Sequence, residues 1–193
     1  MTASLHTNTT SPALLEQIAA TAAALPAAQQ AAYGVYAPEL FATVAPSDAQ
    51  NLPPALQQSR LTGLWHWAQS RRQPGVPHLR LYNPPATGGH WREDVTFIEL
   101  VTDDMPFLVD SLTTELGRLE LETELVLHPV FSVKRDEAGN LLALQTQRED
   151  GFPRESWMHI TIERQSTEAM DGIRAMLLKV LADVRLAVTD WAD

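Results

Sequence analysis

The stretch from Val95 onward sets the tightest limit on the fold, because its apolar period changes from element to element. Val95 to Val101 (VTFIELV) is rich in β-formers and reads as a nearly buried strand. Met105 to Leu119 then takes helical spacing, with Met105, Leu108, Val109, Leu112, Leu116 and Leu119 on one stripe. Thr123 to Lys134 reads as one long strand with Leu125, Leu127, Pro129, Phe131 and Val133 on its apolar face. Pro129 lacks a donor and places this strand at an edge or a bulge. A turn at residues 136–140 leads into a strand over Leu141–Gln147. Trp157 to Arg164 alternates, with Met158, Ile160 and Ile162 opposite His159, Thr161 and Glu163. A long helix follows from Ser166, striped by Met170, Ile173, Leu177, Val180, Leu181, Val184, Val188 and Trp191. Strand, helix, three strands and a helix make an α+β layer, with helices on one face of a largely antiparallel sheet.

The first part of the chain has a different composition. Residues 1–60 carry only Glu16, Glu39, Asp48 and Arg60 as formal charges. Residues 1–10 read as a disordered tail and residues 11–72 as a small N-terminal helical region. Ser11-Pro12 suits a helix start. Ala27 to Phe41 and the stretch after Pro53-Pro54 are further helices, the last carrying Leu56, Leu61, Leu64, Trp65 and Ala68 on one face. Residues 73–94 hold four prolines and three glycines and read as a connection, with His78–Tyr82 a possible short strand inside it. Residues 95–193 then form the α+β domain.

Composition removes several function classes. The 193 residues contain no Cys, which excludes disulfide scaffolds and thiolate metal sites. The net charge of −10 argues against nucleic acid as a partner. No apolar run approaches the ~20 residues of a membrane span, and MTASLHTNTT has no secretory pattern. A cytoplasmic protein is the expectation.

Candidate chemistry is sparse. Asp103-Asp104 follows a strand and precedes Met105-Pro106, so the pair could bind a cation, serve as acid and base, or cap the helix. The six histidines show neither HxH nor HExxH spacing. A metal hydrolase built from Asp103, Asp104 and His128 or His159 is a remote alternative. Trp65 and Trp157 are expected in the core, while Trp67 and Trp191 could mark a contact surface. There is no GxSxG elbow, P-loop or GxGxxG fingerprint, and neither lysine, Lys134 nor Lys179, sits in an apolar setting that would activate it. The expectation is no catalytic site and no metal site.

Three segments carry a family resemblance. They are Thr102–Leu112 (TDDMPFLVDSL), His128-Pro129-Val130, and Glu155–Ile160 (ESWMHI) before the long helix. In that order and spacing they resemble the N-terminal part of the large bacterial NAD-specific glutamate dehydrogenases. The match is good over residues 90–193 and loose over 10–90. The resemblance implies ACT-like modules with a ferredoxin-like antiparallel sheet. It also implies a role as the non-catalytic N-terminal regulatory and assembly domain of an enzyme that deaminates L-glutamate to 2-oxoglutarate. NAD would belong to the parent enzyme, not to this chain. Partners would be other domains of the parent and further copies in a homo-oligomer. Asp104 to Val109 also resembles the ACT turn Asp-x-Pro-Gly-Leu-Leu, with Phe107 where that pattern has Gly. The turn implies a small amino-acid effector held by Asp103, Asp104, Met105, Pro106 and Phe107. An ACT fold needs a strand after its second helix. On this sequence that strand is either Leu141–Gln147 in a varied order or missing.

Overall fold

The structure is a computed structural model and describes residues 12–42, 54–84 and 95–192. The expectations for the tail over 1–10, Ser11, the Ser47-Asp48 turn, Pro53 and Gly88-Gly89 lie outside the described residues, as does the Trp191 side chain. Helices α1 (Pro12–Ala24), α2 (Ala27–Leu40) and α3 (Pro54–Gln69) come first, then strand β1 (His78–Tyr82). There follow β2 (Val95–Asp103), α4 (Leu108–Arg118), β3 (Thr123–Leu127), β4 (Val130–Arg135), β5 (Leu141–Gln145), β6 (Arg154–Glu163) and α5 (Thr167–Ala192). None of the described helices is long and apolar enough to cross a membrane.

One six-stranded sheet runs in the order β1-β2-β6-β4-β5, and β3 also pairs with β6. Every pairing is antiparallel. The fold is therefore α+β, as the patterning predicts. Three expectations need correction, the third being helices on one face only, since the N-terminal helices fold back over the other face of the sheet. The long strand over Thr123–Lys134 is two strands, broken at His128-Pro129. Pro129 has no N–H to give the ladder, and its carbonyl instead accepts a bond from the Trp157 N–H at 3.0 Å. β3 pairs with one half of β6 (Leu127 opposite His159) and β4 with the other (Val130 opposite Ser156).

The second correction concerns the final ACT strand. Leu141–Gln145 lies at the far edge beside β4, so it does not supply it. The free edge of β2 is filled by β1, from upstream of the first strand, with Arg80 opposite Glu99. Leu79 and Leu81 of β1 pack in the same apolar cluster as α5. The layer is thus complete with a strand that precedes the module in sequence.

The sheet has helices on both faces. α4 and α5 cover one: Leu79, Ile98, Leu100, Met158, Ile160 and Ile162 meet Leu108, Leu112 and Leu116 of α4 and Ile173, Leu177 and Leu181 of α5. The N-terminal helices cover the other. Tyr33, Tyr36 and Leu40 of α2 and Leu61, Leu64 and Trp65 of α3 pack on Val101, Leu127, Phe131, Val133 and Trp157. Its centre is aromatic, with Tyr36–Trp65 ring centroids 5.3 Å apart and Phe131–Trp157 centroids 5.1 Å apart. Each such ring removes a large apolar area from water and gains from tilted packing. Tyr36 lends its hydroxyl to the Leu61 carbonyl at 3.0 Å, so its polar end is not wasted in the core. Trp65 and Trp157 anchor this face, at 1% and 0% exposure. Trp67 is half-buried, donating to the His78 carbonyl and carrying the Arg80 guanidinium over its ring.

Candidate functional site

The strand-to-helix turn between β2 and α4 holds the five residues singled out by resemblance. The structure does not gather their side chains into one pocket. Asp103 ends β2 and faces three donors. Its Oδ1 accepts from Arg72 Nη2, and its Oδ2 accepts from the Gly75 N–H at 2.8 Å and from Arg185 Nη2 at 2.9 Å. Burial alone would raise its pKa. Arg72, Arg185 and the Gly75 N–H outweigh burial and hold the carboxyl below its ordinary value. Asp104 continues the ladder, its N–H donating to the Arg154 carbonyl at 2.9 Å, and its carboxylate sits 3.6 Å from Arg154 Nε. Met105 packs against the α4–α5 cluster. Pro106 and Phe107 are exposed.

Asp103 and Asp104 do not cap α4. The helix starts at Leu108, and the residue before it is Phe107, with no side-chain cap bond. Two residues, Met105 and Pro106, separate the acidic pair from that position. Asp110 supplies the negative charge in the first turn instead. Phe107 has φ 67°, the left-handed region that costs an L-residue about 1–2 kcal/mol. The turn therefore keeps the backbone shape a Gly would give it, while adding a ring that is 57% exposed. That ring lines a groove of about 510 Å³ between the two helices, with Asp110, Thr114 and Arg118 of α4 and Val180, Val184 and Ala187 of α5.

The residues that look most like chemistry lie elsewhere, beneath the N-terminal helices. Glu99 and His159 face each other across β2 and β6, both fully buried, with His159 Nδ1 3.6 Å from Glu99 Oε1. Arg80 Nε donates to Glu99 Oε2 at 2.7 Å and the Tyr82 hydroxyl donates to Oε1 at 2.8 Å. Burial pushes the Glu99 carboxyl up, but the His159 ring, Arg80 and Tyr82 together hold it below the ordinary range. Burial pushes His159 down, Glu99 opposes this, and the Arg60 and Arg80 charges add to the lowering, so the ring is neutral in the fold. Helix α3 closes over this group at Gly63. A Cβ there would come within 2.6 Å of the Tyr82 oxygen and 2.7 Å of Glu99 Oε1. Only a glycine lets the helix approach so closely.

A second buried group centres on Glu155. Its Oε1 accepts from Arg72 Nη1 and Arg135 Nε, both at 2.8 Å. Its Oε2 accepts from Arg135 Nη2 at 2.9 Å and Trp157 Nε1 at 3.0 Å. Arg135 also donates to the carbonyls of Ala68, Ser70 and Gly139, tying the end of α3 to the β4–β5 turn. His128 Nε2 lies 2.5 Å from Ser156 Oγ. Among the described residues, no three of His, Asp and Glu gather as metal ligands. Sequence reasoning missed Glu99 and Glu155. Alternation puts Glu155, His159 and Thr161 on the side of β6 opposite Met158, Ile160 and Ile162, but it does not say that helices will cover that side.

Comparison with known proteins places this geometry. The family model described as "Glutamate dehydrogenase, ACT1 domain" matches residues 36–177, most of the chain. The NAD-specific glutamate dehydrogenase of Halomonas elongata is 37% identical over 131 residues, 66% of this chain and 8% of that protein. The protein of the same name from Pseudomonas aeruginosa is 31% identical over 118 residues, 60% of this chain and 7% of that protein. That of Mycobacterium tuberculosis is 28% identical over 147 residues, 75% of this chain and 9% of that protein. The chain thus spans less than a tenth of the length of these curated relatives. No solved structure matches. The match over residues 36–177 covers well over half of the chain, and the chain belongs to the glutamate dehydrogenase ACT1 domain family.

Proposed function

We propose that this chain is a non-catalytic regulatory and assembly domain, from the N-terminal part of an NAD-dependent glutamate dehydrogenase. One observation carries the reading: its buried acids and bases serve the fold. Glu99 and Glu155, the two fully buried carboxylates among the described residues, are each held by several donors from elements that must pack together. A general acid or base must reach substrate, and neither of these does. A surface open to function is the β2–α4 turn with the adjoining α4–α5 groove. Its exposed Phe107 suits contact with another domain of the parent enzyme, because covering an exposed ring removes a large apolar area from water. NAD and the dehydrogenase chemistry then belong to other parts of that parent.

The test is direct. Purified chain, supplied with L-glutamate and NAD, is expected to form NADH no faster than a protein-free blank. Turnover above the blank overturns the reading. A second reading rests on the resemblance of Asp104–Val109 to an ACT turn, with Phe107 at φ 67° where that pattern has Gly. In it a small amino acid meets the turn over Asp103, Asp104, Met105, Pro106 and Phe107. Calorimetry with an amino-acid panel separates the two: saturable heat supports sensing, and silence at millimolar concentration leaves assembly alone.

A further inference from the structure

The groove between α4 and α5 combines an apolar floor with an acidic rim. Val180, Val184 and Ala187 of α5 line it together with the ring of Phe107. Charged side chains from both helices line it as well: Asp110, Glu115 and Arg118 of α4 and Asp183 of α5. Glu115 is matched by Arg118 at 3.0 Å. Asp110 and Asp183 are exposed and form no salt bridge among the described residues. One carboxylate on each helix is thus left without a counter-ion. The turn supplies a second observation. Phe107 is held at φ 67°, a backbone region that strains an L-residue, and the ring it carries belongs to neither apolar core. Strain kept at a position that presents a large apolar ring to solvent marks a contact surface.

We infer that this groove seats an amphipathic helix of another domain of the parent enzyme, one with Lys or Arg flanking its apolar side chains. The inference rests on the assembly reading above and names the chemistry of the partner. A groove between two helices accepts a third by interlocking side-chain ridges, with apolar anchors three and four residues apart. Such anchors cover Val180, Val184 and the Phe107 ring and take their surface out of water. Basic residues beside the anchors meet Asp110 on one helix and Asp183 on the other, so charge selects which helix is admitted. A second copy of this chain fits worse. A two-fold contact sets the same patch against itself. Asp110 and Asp183 then face carboxylates of their own kind, and the net charge of −10 adds to the repulsion.

The probe is a capped peptide of about 18 residues, long enough to hold a helix, with Leu on one face and Lys along both flanks. Its control carries Glu at every Lys position. Each is titrated into the 193-residue chain and followed by calorimetry. The basic peptide is expected to saturate with a Kd of about 100 μM or tighter, and the acidic one to bind about ten-fold more weakly or worse. Asp110→Asn with Asp183→Lys reverses the rim and is expected to weaken the basic peptide by about ten-fold or more. Glu149→Lys with Asp150→Asn makes the same change of net charge in the exposed β5–β6 loop and is expected to leave binding unchanged. Phe107→Gly removes the ring at a position whose backbone glycine adopts freely. It is expected to weaken the peptide by about ten-fold, with the urea midpoint kept or raised. No saturation at about 1 mM, equal binding of the acidic peptide, or equal losses in the rim and loop variants overturns the inference. Undiminished binding by the rim variant or by Phe107→Gly does so too. So does a dimer, seen by sedimentation, that Phe107→Gly dissolves, because a second copy then fills the groove. The assembly reading fails on a different measurement, NADH formation by the chain alone, so the two failures are distinguishable.

Discussion

Glu155→Ala is expected to cost the fold about 3–5 kcal/mol, the usual penalty for stripping one partner from a buried ion pair. Glu155 is 1% exposed and accepts four hydrogen bonds, three from guanidiniums and one from the Trp157 indole. Without it Arg72 keeps Asp103, and Arg135 keeps three carbonyls, but one buried positive charge loses its counter-ion. The loss should reach beyond β6. Arg135 ties the end of α3 to the β4–β5 turn, and Gly139 in that turn lies against the backbone of Arg72, whose N–H donates to its carbonyl at 3.2 Å. Urea unfolding followed by tryptophan fluorescence reads the effect, since Trp65 and Trp157 report the same face. Glu155→Gln retains acceptor capacity on one oxygen but loses the charge, so it should fall between wild type and the alanine variant. A loss under about 1 kcal/mol for Glu155→Ala would mean that the network is solvated in solution and adds little, as exposed pairs do.

The same residue shows where the sequence speaks and where it falls silent. β2, α4, β6 and α5 are legible because each has a clean period and a one-sided apolar stripe; the Met158, Ile160, Ile162 side of β6 goes to α4 and α5 as the spacing says. The opposite side is misjudged by alternation. His159 and Thr161 look like solvent-facing residues, yet both are fully buried, because the second face of this sheet is covered by α2 and α3. Burial there is decided by chain brought from far away: Arg72 meets Glu155 across 83 residues of sequence. A hint existed in Arg60, which adjoins the apolar stripe of α3 beside Leu61, and which lies over the Phe97 ring at 5.2 Å. A basic residue at the margin of an apolar stripe implies something on the facing element to receive it.

β1 is a harder case. His78–Tyr82 alternates, but five residues between prolines say nothing of which edge they join. The answer depends on β2 having an unpaired side, and on Arg80 and Tyr82 both reaching Glu99 from the neighbouring strand. The β2–α4 turn was legible as a turn. Its details were not, because the choice of Phe107 rather than Asp104 as the residue before the helix rests on a left-handed backbone that no spacing rule predicts for phenylalanine.

Acidification is expected to weaken the fold in two stages, and His159→Gln should flatten the first. His159 has its folded pKa pushed below the ordinary 6.5, chiefly by complete burial. In the unfolded chain the ring takes a proton as pH drops below 6.5, while in the fold it resists. The unfolded state then binds more protons, so stability is full above about pH 6.5 and falls below it. The slope is at most about 1.4 kcal/mol per pH unit for each such proton. His78 and His128 are lowered in the same direction by burial and add to this stage, with the half-exposed His78 adding less. The second stage belongs to Glu99 and Glu155, whose folded pKa values lie under the ordinary 4.5, and to Asp103, under 3.8. Their contribution is present above those ordinary values and is lost as pH falls through the lowered ones. Gln at position 159 keeps a polar side chain of similar reach beside Glu99 but cannot titrate. Urea midpoints measured from pH 7 to pH 5 should therefore fall less steeply in His159→Gln than in wild type, by close to one proton's slope. Once pH has fallen through the lowered folded pKa of His159, the two curves should run parallel. Parallel curves throughout would place His159 in its ordinary range, which requires the Glu99 carboxylate to win over burial and the two neighbouring arginines.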